Sequence, residues 1–165
     1  MSGLLASLRG LTVTYAAEQG AHTALDGLDL DIVKGERLAV IGESGSGKST
    51  LALALGDLLP PEARSEGSIG WPGFAAQPQP GRDIGFVFQD AGASLNPVIA
   101  VGRQIAEVVR LHLGLSRREA HERARALLAR VRIPDPDTAL AAFPHQLSGG
   151  QRQRVAIAAA IAAKP

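Results

Sequence analysis

A glycine-rich segment between two apolar segments constrains the fold of this chain most. Residues 42–49 read GESGSGKS and match the pattern GxxxxGK[ST]. They directly follow LAVI (residues 38–41), a continuous apolar run that predicts a strand buried on both faces. They directly precede STLALALGDLL (49–59), which predicts a helix that Pro60 and Pro61 end. The motif therefore lies at the strand-to-helix turn that a phosphate-binding loop requires.

The residue types of this segment suit an anion. Glycines let the backbone come close to a phosphate and direct N–H groups at it, and the helix N-terminus adds a partial positive charge. A ligand-free turn would also use glycines, but the motif and its setting together favour a nucleotide. Lys48 is predicted to act catalytically by reaching the β- and γ-phosphates, and Ser49 to ligate Mg²⁺. The predicted nucleotide contacts are Gly42, Glu43, Ser44, Gly45, Ser46, Gly47, Lys48, Ser49 and Thr50.

A second glycine-containing turn, LSGGQ, occupies residues 147–151 and opens another predicted helix, 151–163. Its hydroxyl and backbone N–H groups also suit a phosphate. One chain rarely needs two separate helix N-termini for one triphosphate. We therefore expect two chains to share the ligand.

Three segments, GESGSGKST, FVFQD (86–90) and LSGGQRQRVAIA, together resemble the ATP-binding subunit of an ABC transporter over nearly the whole chain. The resemblance implies a head-to-tail dimer in which the signature residues Ser148, Gly149, Gly150 and Gln151 contact ATP held by the opposing subunit. It implies that Gln89 is the Q-loop glutamine, a catalytic residue and Mg²⁺ ligand. It also implies that Tyr15 stacks on adenine; cross-strand packing is the alternative role for Tyr15.

The fold class that follows is α/β: a P-loop NTPase of the ABC ATPase type, with an N-terminal antiparallel β subdomain and an α-helical insert. We expect the β subdomain and P-loop core in residues 1–94, the helical subdomain in 95–146, and the signature with its helix in 147–165. The family pattern continues with an acidic strand, a D-loop and a switch histidine. We expect these beyond Pro165, so that the fold is incomplete at the C-terminus and hydrolysis needs residues outside this sequence.

Local patterns predict the remaining elements. Strands are expected at 8–15 and 25–33 with a loop between them, and at 83–89. Residues 60–82 are expected to be irregular, 90–97 a loop and 133–146 a Pro-punctuated connection. A helix is expected over 102–113. The capping box of Ser116 and Glu119 predicts the start of another helix. His145 is expected to be a packed loop residue without a catalytic role.

Composition excludes several classes of function. The formal net charge is +1, which disfavours a nucleic-acid partner. The chain has no cysteine, which excludes disulfides, thiolate metal sites and cysteine nucleophiles. The longest apolar run, residues 155–163, is too short to cross a bilayer, and the N-terminus does not resemble a secretory signal.

Two segments, FQDAGASLNPVIAVGRQIAEVV and FPHQLSGGQRQRVAIA, look most like the peptide and nickel importer branch. The resemblance implies ATP and Mg²⁺ as cofactors, and as partners transmembrane permease subunits, a second ATPase subunit and an extracytoplasmic solute-binding protein. It implies a peripheral position on the cytoplasmic face of the inner membrane. Two alternatives stay open: a nucleotide-binding module without turnover, and a soluble ABC-type ATPase acting on DNA or the ribosome.

Overall fold

The structure is a computed structural model that describes residues 3–17, 20–90, 92 and 94–165. The chain divides into two compact units, Met1–Pro78 and Gln79–Pro165. Each unit has its own cluster of buried apolar side chains. We therefore describe each unit by itself.

The first unit is built on a three-stranded antiparallel sheet. Its strands are β1 (Leu4–Ala17), β2 (Gly20–Val33) and β3 (Ala63–Gly70), in the order β2-β1-β3. Helix α1 (Lys48–Leu55) belongs to the same unit. The apolar positions of β1 form the core with residues of β2 and α1; its buried members are Leu8, Leu11, Val13, Leu25, Leu51 and Ala54.

The two predicted N-terminal strands are confirmed, and both are longer than predicted. The loop expected over residues 16–24 is wrong for 16–17, which belong to β1, and for 20–24, which belong to β2; residues 18 and 19 lie outside the described residues. The irregular structure expected over 60–82 is wrong for Ala63–Gly70, which pairs with β1. This strand is mostly exposed and polar, so hydrogen bonds to its neighbour define it and no apolar alternation marks it.

The strands expected at 38–41 and 83–89 do not form, and both predictions are wrong. Among the described residues, neither segment joins a ladder, and Ile84 makes only an isolated bridge to Pro80. Ile41 is 91% exposed, and Phe88 is 48% exposed. A continuous apolar run becomes a buried strand only when neighbouring strands supply its hydrogen bonds and cover its faces. The described parts of the chain supply neither segment with such neighbours.

The second unit is helical. It contains α2 (Val101–Leu113), α3 (Arg117–Arg130), α4 (Pro136–Ala141), a 3₁₀ turn (Pro144–Gln146) and α5 (Gly149–Ala160). Its core joins one face of each helix; the fully buried members are Val101, Ile105, Val109, Ala120, Ala124, Leu128, Val155, Ala158 and Ala162. Gly102 permits close packing of α2 on α4, because a Cβ there would lie 2.6 Å from the Leu140 carbonyl oxygen.

The helix predictions are confirmed over 102–113 and after Ser116, whose capping box with Glu119 is present. The connection expected over 133–146 is wrong in part, since it contains α4 and the 3₁₀ turn. Helix α1 ends before Gly56 and is shorter than expected, while α5 starts two residues before its predicted start. In the described ranges no helix has both the length and the apolar character needed to cross a membrane.

Candidate nucleotide-binding site

The predicted phosphate-binding loop leads directly into α1 through Gly47. This N-cap residue has φ +84° and ψ 1°, the left-handed conformation that glycine adopts at no steric cost. Glycine has no side chain with which to cap the first turn of the helix. The first amides of α1 therefore depend on other groups for hydrogen bonds, and an anion is a suitable partner.

Contacts with β2 impose a second requirement for glycine at this position. A Cβ on Gly47 would lie 2.3 Å from the Ala24 carbonyl oxygen and 2.9 Å from Cδ2 of Leu25. The turn thus rests against the strand on the side where a larger residue would project. Gly45 has a similar φ of +83°, but no described atom lies within 4 Å of a Cβ built there. Gly47 fixes where the loop sits, and Gly45 allows it to turn.

Lys48 folds back onto the loop that precedes it. Its Nζ donates to the carbonyl oxygens of Gly42 at 2.9 Å and Glu43 at 2.6 Å, and to Oγ of Ser46 at 3.2 Å. An ammonium group has three donors, so these contacts use its donor capacity. The cation lies among the loop residues, where it can exchange one of these acceptors for a phosphate oxygen.

The two hydroxyl residues after Lys48 have different surroundings. Ser49 is exposed, whereas Thr50 is buried with 8% of its surface exposed. The Tyr15 hydroxyl donates to Oγ1 of Thr50 at 3.3 Å, which connects β1 to the first turn of α1. Tyr15 is half-buried and packs against the buried apolar side chains of the first unit.

The LSGGQ segment forms the N-terminus of α5. Ser148 is the N-cap: its Oγ accepts from the Gln151 amide at 3.2 Å, and Oε1 of Gln151 accepts from the Ser148 amide at 2.8 Å. Ser148, Gly149 and Gly150 are exposed. Among the described atoms, none lies closer than 4.0 Å to a Cβ built on either glycine. Their lack of side chains leaves the helix N-terminus open to a ligand or a second chain.

Gln89 is exposed and lies in the second unit. The residues after it are held locally: Oδ1 of Asp90 accepts from the Gly92 amide at 2.9 Å, and Leu95 is buried in the helical core. The loop predicted over 90–97 is present in its described residues; Ala91 and Ala93 lie outside them. His145 is exposed and stacks on Phe143, with ring centroids 5.8 Å apart.

The predicted site residues thus fall into two groups. Tyr15, Gly47, Lys48 and Thr50 are brought together in the first unit, and the signature residues with Gln89 belong to the second. Across the described residues, no group of three or more His, Cys, Asp or Glu side chains is arranged to hold a metal ion.

Comparison with known proteins decides the family. Residues 25–165 match the family described as ABC transporter. The chain belongs to the ABC transporter family. Its fold is that of solved ABC cassettes: it superimposes with a TM-score of 0.83 on the ATP-binding cassette MJ0796, described as a dimer in a post-hydrolysis state bound to ADP and Pi. That match has 30% identity and covers 98% of this chain and 71% of the other.

Curated relatives are longer than this ABC cassette chain. It is 41% identical over 99% of its length to the glutathione import ATP-binding protein GsiA of Escherichia coli O6:H1, and spans 29% of that protein. It is 44% identical over 98% of its length to a putative peptide import ATP-binding protein of Brucella melitensis biotype 1, and spans 51% of it. The chain thus corresponds to a part of each relative.

Sequence reasoning missed three features of this cassette site. The Ala24 carbonyl that supports Gly47 could not be found, because it depends on how α1 packs against β2. The capping box of Ser148 and Gln151 could have been found, since S-x-x-Q is the glutamine form of the S-x-x-E pattern used to predict the start of α3. Arg152 was also missed; its Nη1 donates to the Leu147 carbonyl at 2.8 Å.

Proposed function

We propose that this chain is the nucleotide-binding part of the ATP-hydrolysing subunit of an ABC importer. The observation that carries the proposal is the geometry of Gly47, whose left-handed backbone lies so close to the Ala24 carbonyl that no side chain fits at the start of α1. The amide groups of residues 45–50 and the Lys48 ammonium form an environment suited to a triphosphate.

Within this phosphate cradle, formed by the amides of residues 45–50 and the Lys48 ammonium, Lys48 is assigned to the β- and γ-phosphates and Ser49 to Mg²⁺. The exposed hydroxyl of Ser49 in the first turn of α1 supports the second assignment. Mg²⁺ is commonly held by few protein ligands together with substrate phosphates, which fits a site without a carboxylate cluster among the described residues. Gln89 completes the assignment as Mg²⁺ ligand and catalytic residue, and Tyr15 as the support for adenine.

The signature turn is assigned to the ATP of a second ATPase subunit. Ser148, Gly149 and Gly150 are exposed at the start of α5, with Gln151 closing the cap behind them. The cassette MJ0796, with which this chain shares its fold, is described as a dimer in two solved structures. We propose the same kind of assembly, with each signature turn completing the site of the partner.

The transported solute is proposed from the relatives. GsiA is named for glutathione import and the Brucella protein for peptide import. We propose a short peptide or a peptide-like thiol as solute, with nickel as the other solute of the resembling branch. The partners would be permease subunits and a solute-binding protein, with the helical residues 95–146 docked on the permease at the cytoplasmic face of the membrane.

The test is calorimetric titration of the full-length protein with Mg-ATP, followed by steady-state phosphate release. Lys48→Ala should weaken binding at least about ten-fold, because it removes the cation from the phosphate site. Lys34→Ala is the matched control: it removes an exposed lysine from the turn after β2, in the same unit. Equal binding by the wild type and Lys48→Ala would overturn the proposal. Binding with no phosphate release would favour a module without turnover.

A further inference from the structure

Arg152, the first residue after the LSGGQ segment, contacts two segments that are distant from each other in the sequence. Its Nη1 donates to the Leu147 carbonyl, which precedes Ser148. Its Nε and Cδ lie 3.5 and 4.0 Å from the position that a Cβ of Gly92 would take. The side chain therefore bonds to the signature turn and packs over Gly92, in the loop that follows Gln89.

Two hydrogen bonds hold the backbone of Gly92 in place. Its amide donates to Oδ1 of Asp90, next to Gln89, and its carbonyl accepts from the amide of the buried Leu95 at 3.4 Å. Arg152 and Gly92 also line an open cavity of about 490 Å³, together with Pro144 and His145 from the 3₁₀ turn. Displacement of Gly92 would thus displace the residues next to Gln89.

Other arginines of this unit show which part of the contact is particular to Arg152. Arg154 donates to the Arg132 carbonyl at 2.6 Å, and Arg123 donates twice to the Ala162 carbonyl at 3.0 Å. A carbonyl contact alone is therefore a common way of tying these helices together. Arg152 differs because the same side chain also lies over the loop of Gln89.

We propose that Arg152 is a positioning residue that holds the loop after Gln89 and the signature turn in one arrangement, so that the two move together when ATP is enclosed. The assignment rests on the proposed function, in which Gln89 acts as Mg²⁺ ligand and catalytic residue for the nucleotide of its own subunit and Ser148 contacts the ATP of the partner subunit. A planar guanidinium suits this task, because it can donate along one edge while its face and stem pack against a backbone.

Two variants separate the two contacts of Arg152. Arg152→Lys can still donate to the Leu147 carbonyl but lacks the guanidinium, whose Nε lies 3.5 Å from the Cβ position of Gly92. Arg152→Ala loses both contacts. Arg154→Ala is the matched control, since it removes another arginine-to-carbonyl bond from the exposed side of the same helix. If Arg152→Ala is too unstable to purify, Arg152→Lys carries the test.

The experiment compares these variants in the full-length protein by amide hydrogen exchange over residues 92–96 and by steady-state phosphate release. For Arg152→Lys we expect about ten-fold faster exchange in that segment and about ten-fold lower kcat, with calorimetric Mg-ATP affinity within about two-fold of wild type. Arg154→Ala should change neither. A structural role for the carbonyl bond alone would leave Arg152→Lys like wild type.

The outcomes distinguish this assignment from the function on which it rests. The assignment would be overturned if Arg152→Lys had the exchange rate and kcat of the wild type. It would also be overturned if Arg154→Ala showed the faster exchange and lower kcat expected of Arg152→Lys. In either case, ATP binding by the wild type would leave the proposed function standing. Absence of ATP binding by the wild type would overturn the proposed function and, with it, the role assigned to Arg152.

Discussion

The Tyr15 hydroxyl donates a hydrogen bond to Oγ1 of Thr50, and this contact joins the central strand of the sheet to the first turn of α1. Thr50 is buried, and it directly follows the two residues assigned to phosphate and Mg²⁺. The strand thus helps to fix the helix N-terminus on which the phosphate cradle depends. A residue expected to stack on adenine also supports the loop to which the phosphates are assigned.

Substitutions of Tyr15 separate these two roles. Tyr15→Phe removes the hydrogen bond and keeps the ring, so it should lower the free energy of unfolding by about 0.5–1.5 kcal/mol and leave nucleotide affinity nearly unchanged. Tyr15→Ala also removes the ring and should weaken nucleotide binding by about 1–3 kcal/mol if the ring stacks on the base. Urea unfolding and calorimetry measure the two effects. Equal affinities of Tyr15→Ala and wild type would exclude the stacking role.

Alanine substitutions of Gly47 and Gly45 test how the loop is fixed. Both glycines have left-handed backbones, so each substitution should cost about 1–2 kcal/mol of stability. Gly47→Ala should cost more than Gly45→Ala, because only its Cβ would meet the Ala24 carbonyl. It should also lose measurable Mg-ATP binding. Equal urea midpoints for the two variants would show that the contact with β2 does not constrain the loop.

The elements predicted correctly from the sequence are those specified by local signals. The start of α3 is an example, because the Ser116–Glu119 capping box is complete within four residues. Helix α2 is another, since its apolar spacing matches the face that it buries.

The elements that sequence reasoning missed depend on distant partners. Strand β3 carries no apolar alternation, and it exists because Ser65 and Arg64 pair with Val13 and Thr14 of β1. The apolar run at 38–41 has the composition of a buried strand but no ladder partner among the described residues. The Ala24 contact with Gly47 and the Gly92 contact with Arg152 likewise join residues from different elements. Such contacts leave no periodic pattern in the sequence.

Stability of the helical unit should fall in acid. Arg125 donates to both carboxylate oxygens of Asp137, at 2.6 and 2.7 Å, and thereby lowers the pKa of Asp137. A carboxyl whose pKa is lower in the folded state contributes stability above its unfolded pKa of about 3.9 and loses it as the pH falls through the folded pKa. Hydrogen bonds from Ser116 and Thr138 lower the pKa of Glu119 and of Asp135 in the same direction.

Urea midpoints measured by helical circular dichroism should therefore be constant from about pH 7 to about pH 5 and fall below about pH 4. Asp137→Asn should flatten that fall. Glu122→Gln is the control, because its contact with Arg118 is longer, at 3.6 Å. A fall of the same steepness in Asp137→Asn and wild type would contradict the role given to the Arg125 pair.

Ser148 and Ser116 offer the sharpest comparison between structural and functional roles. Each is the N-cap of a helix in the same unit, and each forms a complete capping box. Substitution by alanine should therefore cost about 1 kcal/mol at either position. Only Ser148→Ala should also reduce phosphate release by the full-length protein, by at least about ten-fold, because only that hydroxyl is assigned to the γ-phosphate of a partner subunit. Ser148→Thr keeps a capping hydroxyl and should recover most of the stability. If Ser116→Ala and Ser148→Ala reduce phosphate release equally, the signature serine acts only as a helix cap, and the contact proposed between its hydroxyl and the partner's nucleotide is excluded.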